Sequence, residues 1–150
     1  EPRSPERSGQ FGVKVFLDTS AFAKRYVEEQ GSDKVLAICQ QADSLVLSVI
    51  CLPELISTLS RLVREKKLAK TAYLALKGDA MTNLADVDIC QIAPEVLASV
   101  ISLLESHPLR TMDALHVACA LACKPDVFVS ADHRQLSAAR KSGLKCVDVS

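Results

Sequence analysis

Short apolar runs alternate with helix-length segments along nearly the whole chain, and this alternation restricts the fold more than any other feature. Residues 13–17 (VKVFL), 45–47, 88–92, 127–129 and 145–149 read as strands. Between them, helices are expected at 20–27 and 32–42, separated at Gly31, then at 50–67, 70–86 and 94–106, with Pro94 well placed in a first turn. Further helices fit 112–123, capped by Thr111, and 133–141, ended by Gly143. Strands that are apolar on both faces and separated by helices imply βαβ units around a buried parallel sheet. The expected fold class is therefore α/β, three layers in the order α/β/α with a mostly parallel central sheet. Right-handed crossovers then put every strand's carboxyl end on one edge, where open sheets of this kind bind ligands.

Composition limits what such a sheet can do. A chain of 150 residues suits one domain, and 49% hydrophobic residues suffice for its core. Residues 1–12 (EPRSPERSGQFG) are polar and rich in Pro, Ser and Arg, and read as a flexible tail or an expression remnant; residues 13–150 form the domain. Net charge is zero, so any basic footprint for nucleic acid must be local. The six cysteines form no C-x-x-C; Cys119 and Cys123 read as small buried hydrophobes of a reducing compartment rather than half a metal site. With no signal peptide and no long apolar run, a cytoplasmic protein without a membrane partner is expected.

The acids fall where that sheet would gather them. Asp18 directly follows the first strand, and Glu54 lies early in the helix after the second. Asp113 lies in the first turn of its helix, and Asp132 comes just after the fourth strand. Four convergent carboxylates must take up protons or bind cations, and hard oxygen donors without thiolates suit Mg²⁺ or Mn²⁺. Such a site supports phosphoryl-transfer chemistry with an activated water. Helix N-termini also favour acids for capping alone, and Asp132 with Gln135 has capping-box spacing. Glu54 is harder to explain that way, because it stands in the apolar run Leu52-Pro53-Glu54-Leu55-Ile56. Pro53 would bend a helix begun at Ser48 and would be harmless in one begun later.

These segments carry a resemblance. Val15-Phe16-Leu17-Asp18-Thr19-Ser20-Ala21, Leu47-Ser48 with Pro53-Glu54-Leu55, Arg110-Thr111-Met112-Asp113-Ala114-Leu115-His116, and Phe128-Val129-Ser130-Ala131-Asp132-His133 stand in this order. Together they resemble the four acid motifs of the PIN-domain family, most closely toxins of the VapC type, over residues 13–149. The resemblance implies a PIN-like fold and Mg²⁺- or Mn²⁺-dependent endoribonuclease activity. It also implies a toxin held inactive by a small cognate antitoxin, and a homodimer. Asp18, Glu54, Asp113 and Asp132 would be catalytic metal ligands. Ser20 and Ser130 read either as partners of a carboxylate or a substrate phosphate, or as local caps beside Asp18 and Asp132. His116 reads as a packed histidine, with a general-base role as the alternative. RNA phosphates could meet Arg61, Arg64, Lys66, Lys67 and Lys70, with Lys24, Arg25, Arg134, Arg140 and Lys141 as further candidates, the alternative being ordinary basic surface at helix ends. The helices at 49–63 and 70–85 form either an antitoxin-docking hairpin or plain packing against the sheet.

Other readings fit less well. A phosphatase of the haloacid dehalogenase type needs a second Asp two residues after Asp18, where Ser20 stands. A receiver domain needs paired acids after its first strand, and no G-x-G nucleotide loop is present. The remaining alternative is a catalytically inactive PIN-like module that binds RNA or protein.

Overall fold

The computed structural model describes residues 12–150. The tail assigned to residues 1–12 lies outside them, apart from Gly12. The elements run β1 (Lys14–Leu17), α1 (Thr19–Ala23), α2 (Ser32–Gln41), β2 (Ser44–Ser48), α3 (Cys51–Arg64), α4 (Lys70–Asn83), β3 (Asp88–Cys90), α5 (Pro94–Ser106), α6 (Thr111–Cys123), β4 (Val127–Ser130), α7 (His133–Lys141) and β5 (Cys146–Asp148). The strands form one sheet in the order β3-β2-β1-β4-β5, and every pairing is parallel. The expected three-layer α/β/α fold with its parallel sheet is what the chain adopts.

Alternation along the strands fills both faces. Phe16, Val46 and Phe128 point to one side, where Val96, Val100 and Leu103 of α5 and the apolar faces of α6 and α7 cover them. The rings of Phe16 and Phe128 stack across β1 and β4 with centroids 5.8 Å apart. Val15, Leu17, Leu47 and Val129 point to the other side, beneath α1, α2 and α3 and Ala80 of α4. Leu55 and Leu59 place the inner face of α3 in this second core, so α3 packs on the sheet, while α4 leaves Leu74 and Met81 exposed.

Several boundaries differ from the sequence reading. The first helix ends at Ala23, and residues 24–27 continue as turns that seat Tyr26 edge-on to Phe22, with centroids 5.1 Å apart. The helix expected to 67 stops at Arg64, because Lys66 takes a left-handed φ of 58°. The helix expected to 86 ends at Asn83 and tightens into one 3-10 turn, Leu84–Asp86. Arg110, not Thr111, caps α6, and its side chain makes no capping hydrogen bond. Gly143 does end α7: its φ is 95°, and the N–H groups of Gly143 and Leu144 bond back to the carbonyls of Arg140 and Ala139, which is a Schellman motif. Gly31, with φ of 90°, stands so close to the C-terminal strand's exit that a Cβ there would lie 1.9 Å from the Val149 carbonyl oxygen.

All strands point one way, and β1 sits between β2 and β4, where the direction of strand addition reverses. This switch point, at the carboxyl edge, is where a parallel sheet opens a crevice.

Candidate active site

The four acids all lie at that edge. Asp18 follows β1 and is the N-cap of α1, accepting a hydrogen bond from the Ala21 N–H at 2.9 Å. Glu54 and Asp113 lie in the first turns of α3 and α6, and Asp132 is the N-cap of α7. Pro53 is the third residue of α3, where its missing N–H would have had no helical partner. The first α-helical bond there, from the Glu54 N–H to the Ile50 carbonyl, measures 3.1 Å, so the proline leaves Glu54 undisturbed.

Glu54, Asp113 and Asp132 line one open cleft of about 340 Å³ together with Thr19, Ser20, His116 and Gln135. Asp18 is wholly buried beside them. Ser20 Oγ donates to both of its oxygens, at 2.8 and 2.9 Å, and Ser130 Oγ donates to Oδ2 at 2.6 Å. The two serines are themselves fixed by the Ala131 and Asp132 N–H groups, each at 2.9 Å. Burial pushes the Asp18 carboxyl above the ordinary aspartate value, against the opposing pull of the Ser130 and Ala21 hydrogen bonds, the His116 charge and the Ser20 hydrogen bond.

Each of the other three carboxylates is anchored by one oxygen. Thr19 Oγ1 donates to Glu54 Oε1 at 2.7 Å, and His116 Nε2 touches the same oxygen. Burial raises the Glu54 carboxyl, but the His116 and Thr19 hydrogen bonds and the histidine charge outweigh it, and the net shift is downward. Gln135 Nε2 donates to Asp113 Oδ1 at 3.0 Å. Asp132 Oδ1 accepts from the Arg134 and Gln135 N–H groups at 2.9 and 3.1 Å. Among the described residues, Glu54 Oε2, Asp113 Oδ2 and Asp132 Oδ2 accept no hydrogen bond, and no Lys or Arg pairs with any of the four acids.

That donor set is hard and anionic, with His116 on Glu54 as its one basic partner among the described residues, so it fits a divalent cation of the Mg²⁺ class. Among the described residues no three acid, His or Cys side chains are drawn together into a ready-made cluster. Like charges held at one oxygen each repel, and a divalent cation would be the group to which Glu54, Asp113 and Asp132 could offer their free oxygens.

One expectation is corrected in detail, and another is set at a distance from the acids. Gln135 does not close a capping box on Asp132; its amide crosses to Asp113 instead. The basic run Arg61, Arg64, Lys66, Lys67 and Lys70 lies at and beyond the far end of α3, with Glu65 bonded to Arg61 and Lys67 at 3.9 and 3.1 Å. At 1.5 Å per residue, Arg64 is about 15 Å along the helix from Glu54. Lys24 lines the cleft, held by Glu29 at 3.2 Å. Arg25 instead lies over the Phe22 and Tyr26 rings, at 5.8 and 5.9 Å. Thr19 and Gln135 were not foreseen as site residues. Thr19 is adjacent to Asp18, which was the available signal, whereas nothing local links Gln135 to Asp113. His116 is packed, with only 1% of its surface exposed, and also faces the site through Nε2. Cys119 is buried as expected, its thiol donating to Ser48 Oγ at 3.4 Å, and all six cysteines are free.

Comparison with known proteins matches this architecture. Residues 15–141 match the PIN domain model, well over half of the chain. Ribonuclease VapC45 of Mycobacterium tuberculosis is 28% identical over 123 residues, covering 81% of this chain and 85% of that protein. The structure of M. tuberculosis VapC20, described as a sarcin-ricin loop cleaving toxin, superposes with a TM-score of 0.65 at 17% identity, covering 83% of this chain and 94% of that one. M. tuberculosis VapBC-5, a member of the VapBC family of toxin-antitoxin systems, gives a TM-score of 0.61 at 19% identity, covering 91% of this chain and 99% of that one. A parallel sheet with acids gathered at its switch point, and a family model spanning β1 to α7, agree: the chain belongs to the PIN-domain family.

Proposed function

We propose that this chain is a metal-dependent endoribonuclease and the toxin of a toxin-antitoxin pair, with Asp18, Glu54, Asp113 and Asp132 as its catalytic and metal-holding residues. The observation that carries the reading is the cleft itself: three carboxylates each anchored by one oxygen, above a fourth that is buried, with no Lys or Arg among the described residues paired to any of them. Oxygen donors alone favour Mg²⁺ or Mn²⁺ over softer metals. When bound, the cation supplies positive charge to the scissile phosphate and acidifies an attacking water.

The chain's own residues do the positioning. Ser20 and Ser130 fix Asp18 in one orientation. Thr19 and His116 hold Glu54 ionised, so its free oxygen is available as a ligand or proton acceptor. Gln135 sets the rotation of Asp113, and the α7 cap sets that of Asp132. With no histidine pair facing the cleft, the expected products carry 5′-phosphate and 3′-hydroxyl ends. The VapC relatives support RNA as substrate, and the VapBC neighbour supports a small antitoxin as partner. A homodimer is favoured by the exposed row Leu97, Ile101 and Leu104 on α5. Six free thiols fit a cytoplasmic setting, and no helix among the described residues is long and apolar enough to cross a membrane.

The test is incubation of purified, antitoxin-free protein with cellular RNA and Mg²⁺ or Mn²⁺, beside EDTA and an Asp18→Asn control, with product ends mapped. Metal- and Asp18-dependent cleavage leaving 5′-phosphates supports the reading. RNA binding that persists in EDTA, without cleavage in any metal, replaces it with an inactive binding module.

A further inference from the structure

Asp113 and Asp132 have a second side. They form one wall of another hollow, of about 230 Å³, whose remaining lining is Arg110, His133 and Arg134. Because the two aspartates belong to both, the acid cleft and this hollow are contiguous. Two guanidiniums beside two carboxylates would ordinarily form ion pairs, and a structural role would end there. They do not pair: among the described residues neither Arg110 nor Arg134 makes a salt bridge or a side-chain hydrogen bond. The acids are engaged elsewhere, Asp132 Oδ1 by the α7 N–H groups and Asp113 Oδ1 by Gln135. His133 turns its Nε2 to Ser150 at 3.2 Å and Asp148 at 3.7 Å, leaving the arginines as the cations that face the hollow.

The backbone adds to the same charge. Arg110 is the N-cap of the 13-residue helix α6 and gives it no side-chain cap. The first intrahelical bond there is from the Ala114 N–H to the Arg110 carbonyl at 3.0 Å, so the N–H groups before it have no helical partner. An uncapped helix start favours an anion, and a guanidinium favours the planar oxygen face of a phosphate over a point charge. The two guanidiniums and the partnerless N–H groups of α6 thus give the hollow a donor side, opposite the aspartate wall that it shares with the acid cleft.

We infer that the Arg110–Arg134 hollow binds an RNA backbone phosphate neighbouring the scissile one, and so sets the path of the strand across the acid edge. This rests on the ribonuclease reading of the adjoining cleft. It assigns the phosphate grip to two arginines from the starts of α6 and α7, and not to the basic run at the end of α3. A phosphate held equally before and during the reaction contributes uniform binding, which appears in KM and not in kcat.

The experiment measures binding of a fluorescein-labelled random-sequence RNA pool to the full chain in EDTA across a salt series, for wild type, Arg110→Ala, Arg134→Ala and Arg64→Ala. Steady-state cleavage of the same RNA with Mn²⁺ runs in parallel. Each arginine variant of the hollow is expected to bind more weakly, with a log–log salt slope shallower by about 0.7, the value for one single-strand phosphate contact. KM should rise severalfold with kcat kept, while Arg64→Ala stays at wild-type values. Wild-type slope and KM in both hollow variants overturn the inference, as does an equal loss in Arg64→Ala. Absence of cleavage by the wild type in every metal defeats the ribonuclease reading instead, and the slopes in EDTA still decide whether the hollow holds phosphate.

Discussion

The two strand-to-helix junctions at the centre of the sheet, β1–α1 and β4–α7, are built from the same parts but hold their aspartates differently. Each makes an Asp the N-cap of the helix that follows. Each also sends a serine to the same carboxylate, Ser20 from the first and Ser130 from the second. Asp18 is wholly buried with both oxygens engaged, whereas Asp132 is half-buried and uses only Oδ1. The difference follows from register. Asp18 comes directly after Leu17, the last residue of β1, while Ser130 closes β4 and Asp132 stands two residues beyond it. One motif thus gives a fixed floor at one position and an adjustable wall at the other. A buried carboxylate with no Lys or Arg paired to it costs stability, which the wall position avoids.

The largest effect that can break this comparison is at the floor. Asp18→Asn should reduce RNA cleavage by more than the roughly hundredfold typical of losing an outer partner of a metal ligand, measured under single-turnover conditions. In EDTA the same variant should melt no lower than wild type, because a neutral amide removes the buried charge. Saturating Mn²⁺ at about a hundred times its dissociation constant should stabilise wild type by about 2.7 kcal/mol and leave the variant unmoved. A variant that loses its fold together with its activity would mean Asp18 is structural.

Gln135→Ala probes the wall from outside. Freed of its amide, Asp113 should bind metal about tenfold more weakly by titration calorimetry, and Gln135→Glu should not restore it. Asp132→Ala should cost about 1 kcal/mol in urea denaturation through the lost cap. Asp132→Asn should keep that stability and still lose cleavage, and equal stability losses in both variants would refute the separation of cap from ligand.

The smallest effect is on pH, in metal-free protein. The folded state holds a proton on Asp18 more tightly than the unfolded state does. Between the ordinary aspartate value of 3.8 and the raised native one, folded protein binds more protons, so stability from this group falls as pH rises. Lowering the pH through that window should raise the melting temperature of wild type relative to Asp18→Asn. A constant difference between them would show that the serine hydrogen bonds cancel the effect of burial.

How much of this was legible in the sequence depended on range. The strands around Phe16 and Phe128 and the placement of four acids at one edge followed from periodicity and parallel topology. The Schellman end of α7 followed from Gly143. Where contacts cross the fold, local signals misled or were silent. The spacing of Asp132 and Gln135 suggested a reciprocal cap, but Asp113, 22 residues away from Gln135 in sequence, took the amide. The charge run after Arg61 suggested a phosphate grip without showing its distance from the acids: α3 carries Arg64 about 15 Å along its axis from Glu54. His116 looked like core, and is, because packing and the Glu54 contact use opposite sides of one ring. Its Nδ1 is buried without a partner while Nε2 meets Glu54.

The strand order has a consequence in time. β1 lies between β2, its early neighbour, and β4, whose Ser130 is 112 residues further along than Asp18. A ribosome releases the chain from its amino end, so a nascent chain reaching α6 already carries Asp18, Glu54 and Asp113. It still lacks the strand that flanks β1, the serine that orients Asp18 and the fourth acid. Under the proposed toxin reading, a chain built in this order would stay unarmed until its closing segments emerge, giving an antitoxin or a protease the duration of synthesis to reach it first.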